Sequence, residues 1–312
     1  MIEVTLVSGF LGAGKTTWLE QRLRDSPDAA DVLIVNDFAE DGVDTRTLRN
    51  AVGNGAVDVE EIVGGCVCCE RLDDLRGVLL RLVRRRHREG GAAPLQVIVE
   101  TSGLARPGRL AGLLTDDPVL RLNTTLRTLV VVLDSVGGER LLRHRAAART
   151  QVGLADRVVF ARADLVDAPQ AAALAGIVRG LNAACAIASA DHGVESPVDA
   201  PPPAERQHFD DEPEGAAPVR SWVTSLRPGT SWAQYALWLH AMSRAHPDGL
   251  LRTKGVVPSP DGPLLVQSMG PDIALPVPAR PGQGESMVFI LGGLDPQDVA
   301  RSLAAFVRSS TI

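Results

Sequence analysis

Residues 9–16 read GFLGAGKT and match the pattern G-x-x-x-x-G-K-[ST] at every fixed position. The run from Val4 to Ser8 before them is apolar enough for a buried strand, and the stretch from Thr17 to Leu23 has the periodicity of a helix. A glycine-rich turn between a strand and a helix lets successive backbone N–H groups point at a phosphate. The sequence therefore predicts a phosphate-binding strand–loop–helix unit, which is a building block of α/β folds.

The fixed positions of this loop each have a chemical reason. Lys15 would place a cation on the β and γ oxygens of a nucleotide, and the Thr16 hydroxyl would bind Mg²⁺. A glycine-rich turn without a ligand is the alternative, but such a turn needs neither the lysine nor the threonine. The predicted nucleotide-binding residues here are Gly9, Gly12, Ala13, Gly14, Lys15, Thr16 and Thr17.

Further short apolar runs alternate with helix-like stretches along the first half of the chain. They are Val32 to Val35, Leu95 to Glu100, Leu129 to Leu133 and Arg157 to Phe160. Strands that alternate with helices predict a doubly wound, mostly parallel sheet. We expect this α/β domain to cover residues 1–190.

The composition changes after the first domain. Residues 191–218 are rich in proline, acidic residues and alanine, a composition that buries too little apolar surface to order itself, so we expect a linker there. The rest combines an amphipathic stretch, Ser231 to Ser243, with strand-like runs and a last helix from Asp295. We expect residues 219–312 to form a smaller α+β domain.

A second acidic strand end follows the phosphate loop in the sequence. The run Leu95 to Glu100 leads into Thr101-Ser102-Gly103. Glu100 would hold a water on Mg²⁺ or orient the attacking water, and the Gly103 amide would sense the γ-phosphate. Lys15, Glu100 and Gly103 are therefore the predicted catalytic residues. The alternative is an acidic residue that simply ends a strand.

Residues 36–44 read NDFAEDGVD and follow another buried strand. We expect this segment to be a switch loop that γ-phosphate and Mg²⁺ order, with Asp37 and Glu40 as metal-binding candidates. A solvated acidic turn is the alternative.

Three of the four cysteines stand within four positions, as Cys66, Cys68 and Cys69 on a turn flanked by glycines. Such spacing cannot form an ordinary disulfide framework. Three thiolates suit Zn²⁺ or Cu⁺, and an incomplete shell leaves a position for an acceptor. Buried small side chains or a redox-sensing thiol are the alternatives. The fourth cysteine, Cys185, stands alone among alanines and is predicted to lie in the core.

The composition limits the classes of binding partner that we expect for this chain. The chain has 32 basic and 38 acidic residues and a formal net charge of -6, so nothing global attracts nucleic acid or an anionic membrane. The start of the sequence lacks the pattern of a secretory signal, and no apolar run reaches membrane-spanning length. We therefore expect a cytoplasmic protein whose thiols stay reduced.

These motifs together resemble the CobW-like GTPases, relatives of the nickel chaperone GTPases UreG and HypB. Four motifs occur in the family's order: Gly9 to Thr17, Asn36 to Asp44, Cys66 to Cys69 and Glu100 to Pro107. Gln151 with Ala155-Asp156, then Gly249 to Gly255 and Val288 to Ile290, extend the similarity to the second domain.

The resemblance implies a GTPase that binds zinc or cobalt, delivers it to a client metalloprotein and has a CobW-type C-terminal domain. A homodimer is one expected assembly. Two alternatives remain open: a nucleotide-dependent scaffold with a structural metal, and a P-loop kinase that phosphorylates a small molecule.

The sequence departs from the family at the segment that reads guanine. The family has Asn-Lys-x-Asp or a close variant, whereas this chain has Ala161-Arg162-Ala163-Asp164. The resemblance implies that Asp164 accepts from the guanine N–H groups, that Arg162 covers the base and that Ser189 belongs to a loop beside it. Asp37 and Ala39 in the switch segment replace the family's usual glutamate and glycine.

Overall fold

The computed structural model describes residues 1–37, 48, 57–63, 71–90, 93–103, 105–191, 194–199, 209, 219–226, 230–259, 262–279 and 286–309. The first domain is built on a mostly parallel sheet. Its strands are β1 (Ile2–Ser8), β2 (Val32–Asp37), β3 (Asp58–Val63), β4 (Leu95–Glu100), β5 (Thr124–Asp134), β6 (Arg157–Ala161), β7 (Ala186–Asp191) and β8 (Val194–Pro197). In space they run β3-β2-β4-β1-β5-β6-β7-β8, with β8 antiparallel to β7. This order confirms the predicted doubly wound sheet.

Helices pack on both faces of this sheet. They are α1 (Lys15–Asp25), α2 (Leu72–Glu89), α3 (Pro107–Asp116), α4 (Pro118–Asn123), α5 (Gly138–His144), α6 (Ala146–Leu154) and α7 (Ala168–Leu181). Ile2, Val4 and Leu6 of β1 are buried in the cluster that contains the apolar stripe of α2, whereas Val7 is buried with residues of α1. The alternating side chains of a central strand thus join two layers of helices.

The second domain pairs an antiparallel sheet with two helices among its described residues. Its elements are β9 (Val219–Ser225), α8 (Trp232–Ala245), β10 (Leu250–Val257), β11 (Leu264–Met269), β12 (Asp272–Ile273), β13 (Val277–Pro278), β14 (Ser286–Gly292) and α9 (Pro296–Ser309). The strand order is β12-β11-β10-β14-β9. Tyr235, Trp238 and Phe289 are fully buried between the sheet and α8, which gives this domain a core of its own.

The beginning of the predicted linker is wrong. Asp191 ends β7 and residues 194–197 form β8, which pairs with β7 through Ala188 and Pro197 at one end. Phe209 is also buried in a core cluster of the first domain, and the Arg149 guanidinium lies 4.4 Å from its ring centroid. Neither feature could be predicted from composition, because neither depends on local apolar content. Strand β8 is ordered by pairing with a neighbouring strand, and Phe209 is ordered by a tertiary contact.

Cys185 is 2% exposed and lies in the same core cluster, which confirms the prediction for this cysteine. Burial raises the pKa of its thiol to about 12, so the group stays protonated at neutral pH. None of the described helices is both long and apolar enough to cross a membrane.

Candidate nucleotide-binding site

The loop between β1 and α1 depends on its glycines. Gly9, Gly12 and Gly14 have φ values of 142°, 72° and 87°, which side chains with a Cβ rarely adopt. A Cβ on Gly9 would lie 2.2 Å from the Val132 carbonyl oxygen of β5. The backbone of this loop is therefore pressed against the sheet, and its shape requires glycine.

Lys15 is the first residue of α1, directly after the loop. Its Nζ donates to the carbonyl oxygens of Gly9, at 3.0 Å, and Phe10, at 3.2 Å. The ammonium group therefore lies over the loop, beside the positive end of the helix dipole. Both charges favour an anion at this place.

The Thr16 hydroxyl and the Glu100 carboxylate meet next to the loop. Thr16 Oγ1 donates to Glu100 Oε1 at 2.8 Å, and Glu100 is only 3% exposed. The two residues come together because β1 and β4 are neighbours, with Val7 opposite Glu100. A hydroxyl and a carboxylate are the oxygen ligands that Mg²⁺ prefers, so the two side chains fit the metal that a nucleotide carries.

The loop after Glu100 lies against the glycine-rich loop. The Thr101 backbone N–H donates to the Val7 carbonyl oxygen at 2.9 Å, which extends the pairing of β1 and β4 by one step. A Cβ on Gly103 would lie 2.5 Å from the Leu11 backbone nitrogen. Gly103 therefore lets the second loop approach the phosphate loop as closely as it does.

Arg162 connects the end of β6 to the glycine-rich loop. Its φ of 57° is the one positive φ among the described residues other than glycine. The guanidinium Nη2 lies 2.7 Å from Asp134 Oδ1 and donates to the Gly12 carbonyl oxygen at 3.3 Å. Asp134 also accepts from the backbone N–H of Gly137 at 2.9 Å. Arg162 is thus held across the loop at the end of β6.

A cavity of about 960 Å³ opens between these loops. Most of the predicted nucleotide-binding and catalytic residues line it: Gly12, Gly14, Lys15, Thr16, Thr17, Glu100, Gly103, Arg162 and Asp164. Gly9 and Ala13 belong to the same loop but do not line the cavity. Asp164 is exposed at its edge, in a short 3-10 turn after Arg162. The volume is that of a site for a nucleotide-sized ligand.

Ser189 is placed differently from the expectation. Its hydroxyl donates to the Ser196 carbonyl oxygen of β8 at 3.3 Å, and the neighbouring Ala190 lines the cavity instead. The alternation of side chains along β7 explains this, because adjacent residues of a strand point to opposite faces.

The predicted metal-binding residues lie largely outside the part of the chain that the structure describes. Glu40, Cys66, Cys68 and Cys69 are not among the described residues, and Asp37 is described only as the last residue of β2. Asn36, one residue earlier, lines the cavity and donates from Nδ2 to the Ile62 carbonyl oxygen at 3.2 Å. Within the described ranges, no cluster of three or more His, Cys, Asp or Glu side chains could hold a metal ion.

Two side chains of the site were not found by sequence reasoning. Asp134 anchors Arg162, although the two residues stand 28 positions apart in the sequence and no motif links them. Trp18 lines the cavity, and its indole Nε1 donates to Glu195 Oε1 on β8 at 2.9 Å. Trp18 directly follows the two threonines of the loop in the sequence, which could have indicated that it lies at the site. The pairing of Arg162 with Asp134 could be identified only from the structure.

Comparison with known proteins gives two family matches. The model described as "CobW/HypB/UreG, nucleotide-binding domain" matches residues 3–188, and the model described as "Cobalamin synthesis protein cobW C-terminal domain" matches residues 219–307.

Individual relatives give the same result. "Zinc chaperone YjiA" of Escherichia coli is 30% identical over 192 residues, which cover 62% of this chain and 58% of the relative. "Zinc chaperone CobW" of Pseudomonas aeruginosa is 31% identical over 220 residues, which cover 62% and 57%. The chain thus spans somewhat more than half the length of these relatives.

Among solved structures, the crystal structure of Zn(II)-bound YjiA GTPase from E. coli covers 98% of both chains with a TM-score of 0.62 and 21% identity. That likeness supports the two-domain fold. With both family models matched in order and the glycine-rich loop, Glu100 and Arg162 gathered around one cavity, the chain belongs to the CobW/HypB/UreG family and carries a CobW C-terminal domain.

Proposed function

We propose that this protein is a GTP-hydrolysing metallochaperone that binds zinc, or cobalt, at Cys66, Cys68 and Cys69 and delivers the metal to a client metalloprotein under control of the nucleotide. The observation that carries the nucleotide half is the meeting of Lys15, Thr16 and Glu100 at one end of the β1–β4 pair. The metal half rests on the thiol cluster of the sequence and on relatives named zinc chaperones.

The loop residues bind and orient the triphosphate. Lys15 exchanges its contacts with the loop carbonyls for phosphate oxygens, and the N–H groups at the start of α1 add to the positive field. Mg²⁺, when bound, neutralises charge on the phosphates, and Thr16 and Glu100 are the side chains that would hold it or its waters. Glu100 would also orient the attacking water, and Gly103 would place a backbone N–H near the γ-phosphate.

Base recognition falls to Asp164 and Arg162. Asp164 is exposed at the edge of the cavity. Its carboxylate would accept hydrogen bonds from the guanine N–H groups. The Arg162 stem would cover the base while its guanidinium keeps the contacts with Asp134 and Gly12. Ala161 lacks the amide of the family's asparagine, and the contacts of Arg162 with Asp134 and Gly12 hold this segment beside the glycine-rich loop.

The experiment that tests the proposal is a Zn²⁺ titration at fixed Mg²⁺, once with GDP and once with a non-hydrolysable GTP analogue. We expect a dissociation constant for Zn²⁺ that differs between the two nucleotides, and we expect the difference to vanish when Cys66, Cys68 and Cys69 are all changed to serine. Transfer of the bound zinc to an apo-metalloprotein in the presence of a competing chelator tests delivery.

The result that contradicts the proposal is an equal zinc affinity in both nucleotide states. A nucleotide-dependent scaffold with a structural metal would then explain the thiols better. Phosphorylation of a small-molecule acceptor by ATP would favour the kinase alternative instead.

A further inference from the structure

Gln151 contacts the loop that carries Gly103. The side chain of Gln151 is 4% exposed, and its Nε2 donates to the Ala105 carbonyl oxygen at 3.0 Å and to the Gly103 carbonyl oxygen at 3.5 Å. Gln151 belongs to α6 and stands 46 and 48 positions from these partners. One amide group therefore fastens α6 to the backbone directly after the predicted γ-phosphate sensor.

The same end of α6 also lies against the C-terminal domain. A Cβ on Gly153 would lie 2.9 Å from Val219 Cγ1 of β9 and 3.6 Å from Ile290 Cγ2 of β14. The carbonyl oxygen of Leu154, the last residue of the helix, accepts a hydrogen bond from Arg252 of β10. The last turn of the helix, residues 151–154, thus contacts both the Gly103 loop and the second domain.

A largely buried ion cluster follows two residues later. Asp156 accepts from Arg252 Nη2 at 2.8 Å through Oδ2 and from Lys254 Nζ at 2.7 Å through Oδ1. The same carboxylate accepts from the Leu129 backbone N–H of β5 at 2.8 Å. Burial disfavours the charge, but the two cations outweigh it and lower the pKa of Asp156 to about 2. The Asp156 carboxylate is therefore ionised at every physiological pH.

The end of α6 is also fixed to its own domain. Asn182 is 2% exposed, and its Nδ2 lies within 3.2 Å of the carbonyl oxygens of Val152, Gly153 and Ala155. The two N–H bonds of one amide group are thus shared among three carbonyls at the end of the helix. We expect a segment held by these contacts to respond as a unit, so that a displacement at Gln151 is transmitted to Asp156.

We infer that Gln151, α6 and the cluster of Asp156, Arg252 and Lys254 form one connection through which the nucleotide at the phosphate loop controls the C-terminal domain. Gln151 is a positioning residue in this connection, because it acts on the nucleotide only through the Gly103 loop. The inference rests on the proposed function for the nature of the nucleotide. It gives a role to the Gln151, Asp156 and Gly249 to Gly255 motifs, which the phosphate site leaves unexplained.

The connection works in both directions. A ligand that shifts the Gly103 loop changes the free energy of the contacts at Arg252, and loss of those contacts must change nucleotide affinity by the same factor. The C-terminal domain would then sense the γ-phosphate, although no C-terminal residue lines the nucleotide cavity among those described.

The test compares GDP with a non-hydrolysable GTP analogue by hydrogen exchange of the β10 amides, residues 250–257. In the natural protein we expect exchange rates that differ between the two nucleotides by about threefold or more. In Gln151→Met, which keeps the length of the side chain and removes the donor, we expect this difference to disappear. In Arg252→Met, we expect the ratio of the two nucleotide affinities to shift by about fivefold or more, and Arg252→Lys should restore part of it.

Arg76→Met is the matched control, because it removes an Arg–Asp pair of 2.7 Å that joins α2 to Asp117 inside the first domain. We expect it to leave both readouts unchanged. Identical β10 exchange with the two nucleotides in the natural protein would overturn the inference, and this comparison needs no variant to fold. Because neither readout uses hydrolysis or zinc, a protein without either activity would refute the proposed function and leave this test valid.

Discussion

Two aspartates lie at the contact between the domains, and their surroundings shift their pKa values in opposite directions. Asp156 lies between Arg252 and Lys254, whose charges lower its pKa to about 2 despite burial. Asp272 of β12 packs against α3, where a Cβ on Gly112 would lie 2.6 Å from its Oδ2. Burial and the charge of Asp116 raise the pKa of Asp272 to about 6. The sign of the neighbouring charge, more than burial itself, therefore decides whether an interface carboxylate stabilises the contact.

The largest effect is expected for Arg252→Met. The change removes one cation from a largely buried cluster and leaves Lys254 as the remaining cation beside Asp156. Loss of one partner of a buried ion pair typically costs about 3–5 kcal/mol of the free energy of unfolding. Urea denaturation at pH 7.5 measures this. A loss below about 1 kcal/mol would mean that the cluster contributes little to the contact.

The second effect is a loss of folding stability at acid pH, through protonation of Asp156. Asp156 has a lowered pKa in the folded protein, so its contribution is complete above the ordinary value of 3.8 and is lost as the pH falls through about 2. The shift corresponds to about 2 kcal/mol. We expect the natural protein to lose more stability than Asp156→Asn between pH 4.5 and pH 2. Equal slopes for the two proteins over this range would refute the assignment.

A smaller effect of opposite sign is expected for Asp272→Asn. The raised pKa means that the folded state favours the protonated carboxyl, so the penalty is absent below pH 3.8, grows up to about pH 6 and is complete above that. Solvent screens this half-buried group, and we expect a gain of about 1 kcal/mol or less at pH 7.5. Thermal unfolding of both proteins at pH 7.5 and pH 3.5 checks this, since a gain of equal size at both values would have another cause.

The smallest effect is expected for Arg76→Met. Its 2.7 Å pair with Asp117 is about as short as the contacts of Asp156, but the Arg76 side chain is 48% exposed. Exposed pairs contribute about 0.5 kcal/mol. In the variant, the Asp117 carboxylate still accepts hydrogen bonds from the backbone N–H groups of Val119 and Leu120 at the start of α4. A loss as large as that of Arg252→Met would show that exposure does not separate the two kinds of pair.

Local features of this protein were predictable from the sequence. The glycine-rich loop, the strand that ends at Glu100 and the parallel sheet depend on residues that are neighbours in the chain, and the structure confirms the fold. The edge strands β3 and β8 were not predicted, because acidic residues interrupt their apolar pattern and their order comes from the adjacent strand.

Contacts across the chain were beyond sequence reasoning. The pair of Arg162 and Asp134, the contacts of Gln151 with Gly103 and Ala105, and the link between Asp156 and Arg252 join residues 28 to 96 positions apart. The resemblance to the family marked Gln151, Asp156 and Arg252 as motif residues, but only the fold assigns them partners.

The most direct test of the account is the rate of GTP hydrolysis with Mg²⁺ by the natural protein and by Lys15→Ala. We predict measurable turnover that falls by about 100-fold or more in the variant, because Lys15 supplies the charge that the phosphates meet in the loop. GTP turnover that is absent in the natural protein, or unchanged in the variant, would contradict the account.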